Sequence, residues 1–404
     1  MTAIVGVLNK HAVAIAADSA VTLGGGRKVL NSANKLFALS KRNPVAVAIY
    51  GSADLVGTPW EIIIKEYRKQ LDESFNGLKG YIDNFMEFLY DNNYFCSDKE
   101  SVEDLYSSIL QFTLNIIKVA EEDPGKIDII IKNLEKKSAS TYLDGVTPGI
   151  VSSLKEQAKK VFPCANNEFS TCGFNITEDR FLSLVETAFT KDVCPLAKRS
   201  GLVFSGYGEK DLFPSIYDYS IGGIIDNVLM TKQLKVSQIS KEKGSDICPF
   251  AQTDVMKTIL EGVAPKMQSI YLSSLEKTFQ KLTDALSSYI SPKDATLAAA
   301  VKNMKIDTFK TIFMATSKIT QEEEYSKPFV DSVSSLEKED LADFAESLVR
   351  LTSLKRRISK EQDTVGGPID VMVISKGDGI IWMKRKHYFN PDLNHQFFDN
   401  YFNQ

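Results

Sequence analysis

The 404-residue sequence predicts an α+β fold, because groups of short apolar strands alternate with two long blocks of helical pattern. Strands are predicted in the first ~50 residues, again from about residue 201, and finally from about residue 369. Between them, residues from about 55 to 190 and from about 252 to 355 place apolar side chains at helical spacing. The β-structure is therefore expected to come from three distant parts of the chain.

The first group of strands opens with a β-hairpin. Residues 3–8 (AIVGVL) predict one strand, residues 9–11 (NKH) a turn, and residues 12–17 (AVAIAA) a second strand that ends at Asp18. A hairpin of this length returns the end of its second strand to the start of its first. We therefore expect Asp18 to lie close to Thr2.

Thr2 is the residue with the clearest chemical potential. If Met1 is removed, the Thr2 hydroxyl and its own α-amine lie on one residue, which combines a nucleophile with a base. The simpler interpretation remains open, because a threonine at position 2 carries little weight alone. An aspartate that ends a strand is usually a turn residue, and a lysine before a strand is usually a solvated edge charge.

The segments that follow continue in a defined order. Lys35 precedes a short apolar strand, residues 45–50 (VAVAIY) predict the next strand, and residues 51–54 (GSAD) form a small-residue turn before a helix. The order is thus strand, turn, strand, long loop, strand, strand, turn and helix.

This order resembles the proteasome β-subunit family of N-terminal nucleophile (Ntn) hydrolases, in a divergent bacterial-type form. The matching segments are residues 2–7 (TAIVGV), 16–22 (AADSAVT), 34–36 (NKL) and 50–54 (YGSAD), with further similarity near residues 202–220 and 365–383. The resemblance implies a four-layer αββα sandwich of two antiparallel sheets between helices, here enlarged by two helical insertions.

The resemblance also implies a catalytic group of three residues. Thr2 is expected to be the nucleophile, and Asp18 and Lys35 are expected to form a buried ion pair beneath it. A lysine cation favours the neutral form of a neighbouring amine, which is the form that accepts a proton. Because an N-terminal amine has a pKa of about 7.7–8.0, a small decrease makes it a base at neutral pH.

Further binding positions follow from the same resemblance. Gly51 is expected to donate its backbone N–H to the oxyanion, and Thr22 and Ala53 to bind the substrate backbone as an added strand. The family carries supporting serines at two positions where this sequence has Gln252 and Val365. This difference favours an altered shell around the threonine.

The expected function is hydrolysis of amide or peptide bonds by an N-terminal threonine, with a peptide or protein as the substrate. Two alternatives remain. The first alternative is a catalytically inactive scaffold or ring subunit. The second is an amidase that acts on a small molecule. A deep, enclosed pocket would favour the small molecule, and an open groove with free strand edges would favour the peptide.

We expect a single domain in which insertions interrupt a core. The core is expected at about 1–75, 200–250 and 363–386 of the whole chain 1–404, and the helical insertions at about 76–199 and 252–360. Self-association is expected from the helical surface, and an ATPase or other protein partner is compatible with the resemblance.

Composition excludes other classes of function. A formal net charge of −4 gives no electrostatic reason to expect nucleic acid. The sequence has no apolar run long enough for a membrane span and no signal-peptide pattern. Its five cysteines without CxxC spacing favour a reducing cytoplasm. The three histidines are scattered, so we expect neither a metal nor an organic cofactor.

Overall fold

The computed structural model describes residues 2–23, 28–122, 126–191, 197–304, 306–358 and 366–396. The strands are β1 (Ala3–Asn9), β2 (Val13–Ala17), β3 (Val21–Leu23), β4 (Lys28–Leu30), β5 (Leu36–Ala38), β6 (Val45–Gly51), β7 (Asp54–Leu55), β8 (Thr58–Pro59), β9 (Ser200–Gly206), β10 (Ser215–Ile225), β11 (Val228–Gln238), β12 (Ser245–Ala251), β13 (Asp370–Ser375) and β14 (Gly379–Lys384).

The helices fall into the two blocks that the sequence predicts. They are α1 (Trp60–Gln70), α2 (Leu78–Asp91), α3 (Asp98–Glu122), α4 (Lys126–Lys137), α5 (Pro148–Thr171), α6 (Glu178–Glu186), α7 (Asp254–Glu261), α8 (Pro265–Ile290), α9 (Ala295–Lys302), α10 (Asp307–Gln321), α11 (Lys327–Val333) and α12 (Lys338–Ile358). With the strands above, they confirm the α+β class.

Two five-stranded antiparallel sheets contain most of the described strands. The first has the order β12-β1-β2-β13-β14, and the second has the order β11-β10-β9-β6-β5. The hairpin strands β1 and β2 thus lie inside the first sheet, between partners from distant parts of the chain. Such a position explains why every residue of both strands is buried and why all but Asn9 are apolar or glycine, since a strand covered on both faces has no polar side.

The side chains of β1 divide between two apolar clusters. Ile4 and Leu8 point to a cluster that also contains Val203 and Ile216 of the second sheet, so this cluster connects the two sheets. Ala3, Val5 and Val7 point the other way, into a cluster formed with α12, Met256 and Val333. This alternation follows from the two-residue period of a strand.

The outer face of the second sheet is covered by α1 and α2. Trp60, Ile64 and Phe85 of these helices pack with Val47 and Phe204 in a third cluster. Helices α3 to α6 form a separate cluster that reaches the sheet at the β10–β11 hairpin. By contrast, α10 buries no side chain, and α8 buries only Thr283.

Some helices within the predicted insertion ranges pack directly on a sheet. Helices α2 and α12 lie within the ranges that the sequence analysis assigns to insertions, yet each packs on a sheet. The division into a core and two insertions stays a prediction, as does the four-layer sandwich. In the described ranges, no helix combines the length and the apolar character required to cross a membrane.

Candidate active site

The N-terminal hairpin holds Asp18 next to the residue that follows Thr2. In the ladder between β1 and β2, Ile4 pairs with Ala17, so Asp18 is opposite Ala3. The Asp18 N–H donates to the Ala3 carbonyl at 3.2 Å. In return, the Ala3 N–H donates to Asp18 Oδ1 at 2.9 Å. The carboxylate therefore takes the last hydrogen bond of the ladder in place of a backbone carbonyl.

Asp18 is buried and accepts four hydrogen bonds from described groups. Oδ1 accepts from the Ala3 N–H and from Lys35 Nζ, at 2.9 and 2.7 Å. Oδ2 accepts from the N–H groups of Ala20 and Gly366, each at 3.1 Å. Asp18 is only 1% exposed, so these donors replace the water that the carboxylate would otherwise bind.

Lys35 reaches Asp18 from the second sheet. It precedes β5, and its carbonyl accepts the Ile49 N–H at 2.9 Å, which fixes its backbone beside β6. Its side chain is buried with Asp18. Burial lowers the pKa of the Lys35 ammonium, the positive charge of Lys386 lowers it further, and Asp18 opposes both effects. The ion pair thus joins the two sheets at this end of the molecule.

Thr2 is nearly enclosed, with 7% of its surface exposed. Its carbonyl accepts the Gln252 N–H at 3.1 Å, just beyond the β1–β12 ladder in which Ala3 pairs with Ala251. Gln252 thus contacts the Thr2 backbone at a position where the resemblance implies a serine. Its side chain is also hydrogen-bonded by Arg356 of α12.

Gly51 ends β6 with a backbone conformation that favours glycine. Its φ is +78°, and a Cβ atom there would lie 2.3 Å from the Arg199 carbonyl oxygen. The Ser52 N–H donates to that same oxygen at 2.9 Å. Along an antiparallel strand, N–H groups alternate between the two edges. The Ile49 N–H points to Lys35, so the Gly51 N–H, two residues later, is directed to the same edge.

The other two predicted binding residues are placed differently. Ala53 is exposed in the turn after β6, and its carbonyl accepts the Trp60 N–H at 3.1 Å. Thr22 lies in β3, where it pairs with Val29 of β4, but its side chain is outside the described part of the chain. The structure therefore brings Asp18 and Lys35 together beside the Thr2–Ala3 backbone. Gly51 ends β6 of the second sheet, and Ala53 lies in the turn that follows it.

Sequence reasoning overlooked several groups that contact this site. Gly366 donates to Asp18, and its carbonyl accepts the Ser19 N–H at 3.1 Å. The glycine pair at 366–367 is the sequence signal that marks this turn. The positive charge of Lys386 lowers the pKa of Lys35, and Lys386 forms a buried ion pair with Asp370 of β13. No local pattern identifies Lys386, since it follows the last strand as one of several basic residues. Val365 lies outside the described residues.

A cavity of ≈ 290 Å³ lies behind this turn. It is lined by the 366–369 segment and by α12 side chains that include Glu346, Arg350 and Arg357. Neither Thr2 nor Asp18 lines it, so it does not indicate a small-molecule pocket at Thr2. Across the described residues, no group of three or more His, Cys, Asp or Glu side chains is placed to hold a metal ion.

Comparisons with known proteins identify no family for the chain. No protein-family model matches it, and no curated protein matches it. Among solved structures, Anbu from Hyphomicrobium sp. strain MC1 aligns with 8% identity and a TM-score of 0.30, over 99% of this chain and 95% of that one. Anbu (ancestral beta-subunit) from Yersinia bercovieri gives 8% and 0.25, over 99% and 94%. A helical assembly of the Anbu complex from Pseudomonas aeruginosa gives 7% and 0.26, over 100% and 95%.

These comparisons correct one expectation from the sequence. The assignment to the proteasome β-subunit family is wrong, because no family model supports it and the structural neighbours named above are Anbu proteins at TM-scores of only 0.25 to 0.30. Scores of this size carry no argument about activity. The resemblance rested on short segments of small and apolar residues, a composition that many buried strands share.

Proposed function

We propose that the chain is an amide-bond hydrolase whose nucleophile is the hydroxyl of an N-terminal Thr2. The observation that supports this proposal is the shared oxygen of Asp18. Oδ1 accepts the N–H of Ala3 at 2.9 Å and the ammonium of Lys35 at 2.7 Å. A buried cation is thereby held one residue from the threonine.

The proposed reaction needs only groups of this chain and water. After removal of Met1, the neutral Thr2 amine accepts the hydroxyl proton while Oγ1 attacks the substrate carbonyl. The Gly51 N–H is the proposed donor to the resulting oxyanion. The amine then gives its proton to the leaving amine, which leaves an ester on Thr2. Water attacks this ester with the same amine as base, and the carboxylic acid is released.

Lys35 is the proposed source of the electrostatic effect on the amine. An ammonium near the N-terminus favours the uncharged amine, which is the form that works as a base. Asp18 accepts from the ammonium at 2.7 Å and holds it in place. The burial of the Lys35–Asp18 pair supports this role, because charges in a buried site are screened less than exposed charges.

For the architecture we infer four layers, in which two sheets lie between helices. The cluster between Ile4 and Ile216 supports contact between the sheets. The clusters of α12 on the first sheet and of α1 and α2 on the second support a helical layer outside each. In this arrangement the site lies at one end of the sheets, where Asp18 and Lys35 meet.

A peptide or protein is the proposed substrate class. Gly51 and Ala53 are exposed at the end of β6, and β3 pairs only with β4 among the described strands. An extended peptide that lies between these segments gains main-chain hydrogen bonds along its length. Thr22 and Ala53 remain the proposed residues for this contact.

One observation favours a catalytically inactive scaffold as a second candidate. Thr2 is 7% exposed, and Gln252 holds its carbonyl. If Met1 is retained, this arrangement simply anchors the first strand in the sheet. The fate of Met1 therefore separates the two candidates.

The test combines intact mass with a covalent probe. We expect the purified protein to lack Met1 and an alkyl β-lactone to acylate Thr2. Attack on the lactone carbonyl opens the ring, the ring oxygen takes a proton, and the protein gains the full mass of the probe. Thr2→Ala is expected to remain unlabelled and to melt like the parent protein, whereas Thr2→Ser is expected to react. Retained Met1 in protein that does not react would favour the scaffold.

A further inference from the structure

The side chain of Tyr50 crosses a neighbouring strand to reach a buried carboxylate. Tyr50 precedes Gly51 at the end of β6 and pairs with Gly201 of β9. Its hydroxyl donates to Asp218 of β10, with distances of 2.9 and 3.1 Å to the two carboxylate oxygens. A single tyrosine thus connects three adjacent strands of the second sheet.

The absence of a side chain at Gly201 makes this crossing possible. A Cβ atom there would lie 2.0 to 2.4 Å from three carbons at the hydroxyl end of the Tyr50 ring. The ring therefore lies directly on the Gly201 backbone. With the ring seated on β9 and its hydroxyl held by β10, rotation of the Tyr50 side chain is restricted at both ends.

Asp218 is suited to hold the phenol firmly. It is 6% exposed, and Tyr50 donates to both of its oxygens. A hydrogen bond to a charged carboxylate is stronger than one between neutral groups. Lys235 of β11 lies opposite Asp218 in the ladder, and its positive charge acts on the carboxylate. Val203 lies opposite Asp218 on β9.

We propose that Tyr50 and Asp218 form a positioning pair that fixes the peptide unit between Tyr50 and Gly51, and hence the direction of the Gly51 N–H. This inference depends on the proposed function, in which that N–H binds the oxyanion. The amide donor belongs to the same rigid peptide plane as the Tyr50 carbonyl. A small rotation of Tyr50 would therefore move the donor relative to Thr2. An oxyanion donor works best when its direction is fixed before the reaction begins.

The experiment compares acylation of Thr2 by the alkyl β-lactone in variants of the full chain. Tyr50→Phe keeps the ring on Gly201 and removes only the hydroxyl, so we expect the maximal acylation rate, kinact, to fall roughly 10-fold. The probe concentration for half-maximal rate, KI, and the final labelled fraction are expected to stay unchanged. Tyr219→Phe is the matched control, because it removes the phenol that donates to Gln233 on the opposite face of the sheet.

Variants of Asp218 provide the second arm of the test. Asp218→Asn retains an oxygen that accepts from Tyr50, so its kinact is expected to stay within about 3-fold of the parent value. Asp218→Leu removes the acceptor at similar volume and is expected to match Tyr50→Phe. Combined with Tyr50→Phe, it should cause no further loss, because both changes break one interaction.

The outcomes separate this inference from the function on which it rests. If the parent protein with a free Thr2 amine does not react with the lactone, the proposed function is wrong, and the inference of a positioning pair is wrong as well. If the parent reacts and Tyr50→Phe has the same kinact as Tyr219→Phe, only the positioning pair is wrong. A lower labelled fraction at unchanged kinact in folded Tyr50→Phe also overturns it, because that result indicates a purely structural role.

Discussion

Asp18 accepts donors from four parts of the chain: Ala3, Ala20, Lys35 and Gly366. The carboxylate is therefore a structural centre as well as a proposed part of the catalytic site. The sequence indicated its proximity to Thr2 through hairpin length. The glycine pair at 366–367 marks a turn, but no local pattern places the Gly366 N–H at Asp18, which is 348 residues away.

The first prediction concerns the buried ion pair. Asp18→Asn and Lys35→Ala are each expected to destabilise the protein by about 3–5 kcal/mol, because each leaves the partner charge uncompensated in a buried site. Lys65→Ala is the matched control. It removes an exposed helical ion pair with Glu61 and is expected to cost less than about 1 kcal/mol.

Urea unfolding of the three variants tests this prediction. Equal midpoints for Lys35→Ala and Lys65→Ala would contradict the importance of the buried pair. For the reaction, Asp18→Asn and Lys35→Ala are also expected to abolish acylation of Thr2. Thr2→Ala is expected to show the same loss of acylation without a change in stability.

The second prediction concerns the pH dependence of stability at Asp218. Burial raises the pKa of this carboxyl from 3.8 to about 6, while the Tyr50 hydrogen bond and Lys235 oppose the change. Above pH 6, the folded state must bury a charge, whereas below about pH 4 the group is neutral in both folded and unfolded states. The folded state binds the proton more tightly than the unfolded state does. The free-energy cost of burying Asp218 therefore decreases, and the stability of the protein increases, as the pH falls through the folded-state pKa.

Parent protein and Asp218→Asn isolate this contribution. Between pH 7 and pH 4, the parent is expected to gain about 2 kcal/mol of unfolding free energy relative to Asp218→Asn, from a pKa difference of about 2 units. Urea titrations of both proteins at the two pH values measure the difference. A constant difference would show that Asp218 titrates as an exposed aspartate.

At the scale of elements, the N-terminal hairpin is tied to the helical layer by Asn9. Its side-chain amide donates to the carbonyls of Val333 and Leu336 at 3.1 and 2.8 Å. Its Oδ1 accepts the N–H groups of His11 and Ala12 at 2.9 and 3.2 Å. One fully buried residue therefore closes the turn and secures the end of α11.

The third prediction follows from these four bonds. Asn9→Ala is expected to destabilise the protein by at least about 3 kcal/mol, because several buried backbone groups lose their partner together. Asn9→Asp keeps the acceptor for the turn but loses both donors. It also places a carboxylate beside the Val333 and Leu336 carbonyl oxygens, so we expect it to destabilise the protein at least as much as Asn9→Ala. Thermal unfolding measures both changes. A loss below about 1 kcal/mol for Asn9→Ala would show that water replaces the side chain.

Element boundaries also show where sequence patterns are insufficient. The sequence predicted a helical block from about 252 to 355, and the structure divides its first part into α7 and α8. Gly262 ends α7 with φ +70°, and Pro265 begins α8. Both residues are typical at these positions, since glycine permits the left-handed conformation and proline suits a first turn. The periodicity was correct, and the turn chemistry decided the break.

At the scale of the whole molecule, α8 and α10 carry large apolar side chains that the rest of the described chain leaves exposed. The side chains concerned are Met267, Ile270, Tyr271, Leu282, Leu286 and Tyr289 of α8 and Phe309, Ile312, Phe313, Met314 and Ile319 of α10. Half-exposed side chains of this number present on the order of 1,000 Å². A stable interface needs about 800 Å² from each partner.

The fourth prediction is that this surface mediates self-association. Ile312→Glu combined with Phe313→Glu is expected to shift the protein from oligomer to monomer, because two charges must then be desolvated at the interface. Leu212→Glu is the control, since Leu212 is 68% exposed and lies outside the helical blocks. Light scattering at micromolar concentration distinguishes the species. A parent protein that is already monomeric would contradict the prediction.

The sequence by itself determined the class of the fold and the local elements. Continuous apolar runs predicted buried strands, helical periodicity predicted both helical blocks, and hairpin length predicted that Asp18 approaches Thr2. These features depend on neighbours within a few residues, where spacing and propensity act directly. They also suggested Lys35, but only through its position before a strand and the resemblance.

Only the tertiary structure decided which distant groups meet. The ladder of β1 with β12 brings Gln252 to the Thr2 carbonyl, and the packing of the two sheets brings Lys35 to Asp18. Tyr50 reaches Asp218 because Gly201 lies between them on the middle strand. Strand order and sheet packing arise from burial summed over the whole chain. No local pattern contains that sum, so these contacts are properties of the folded chain alone.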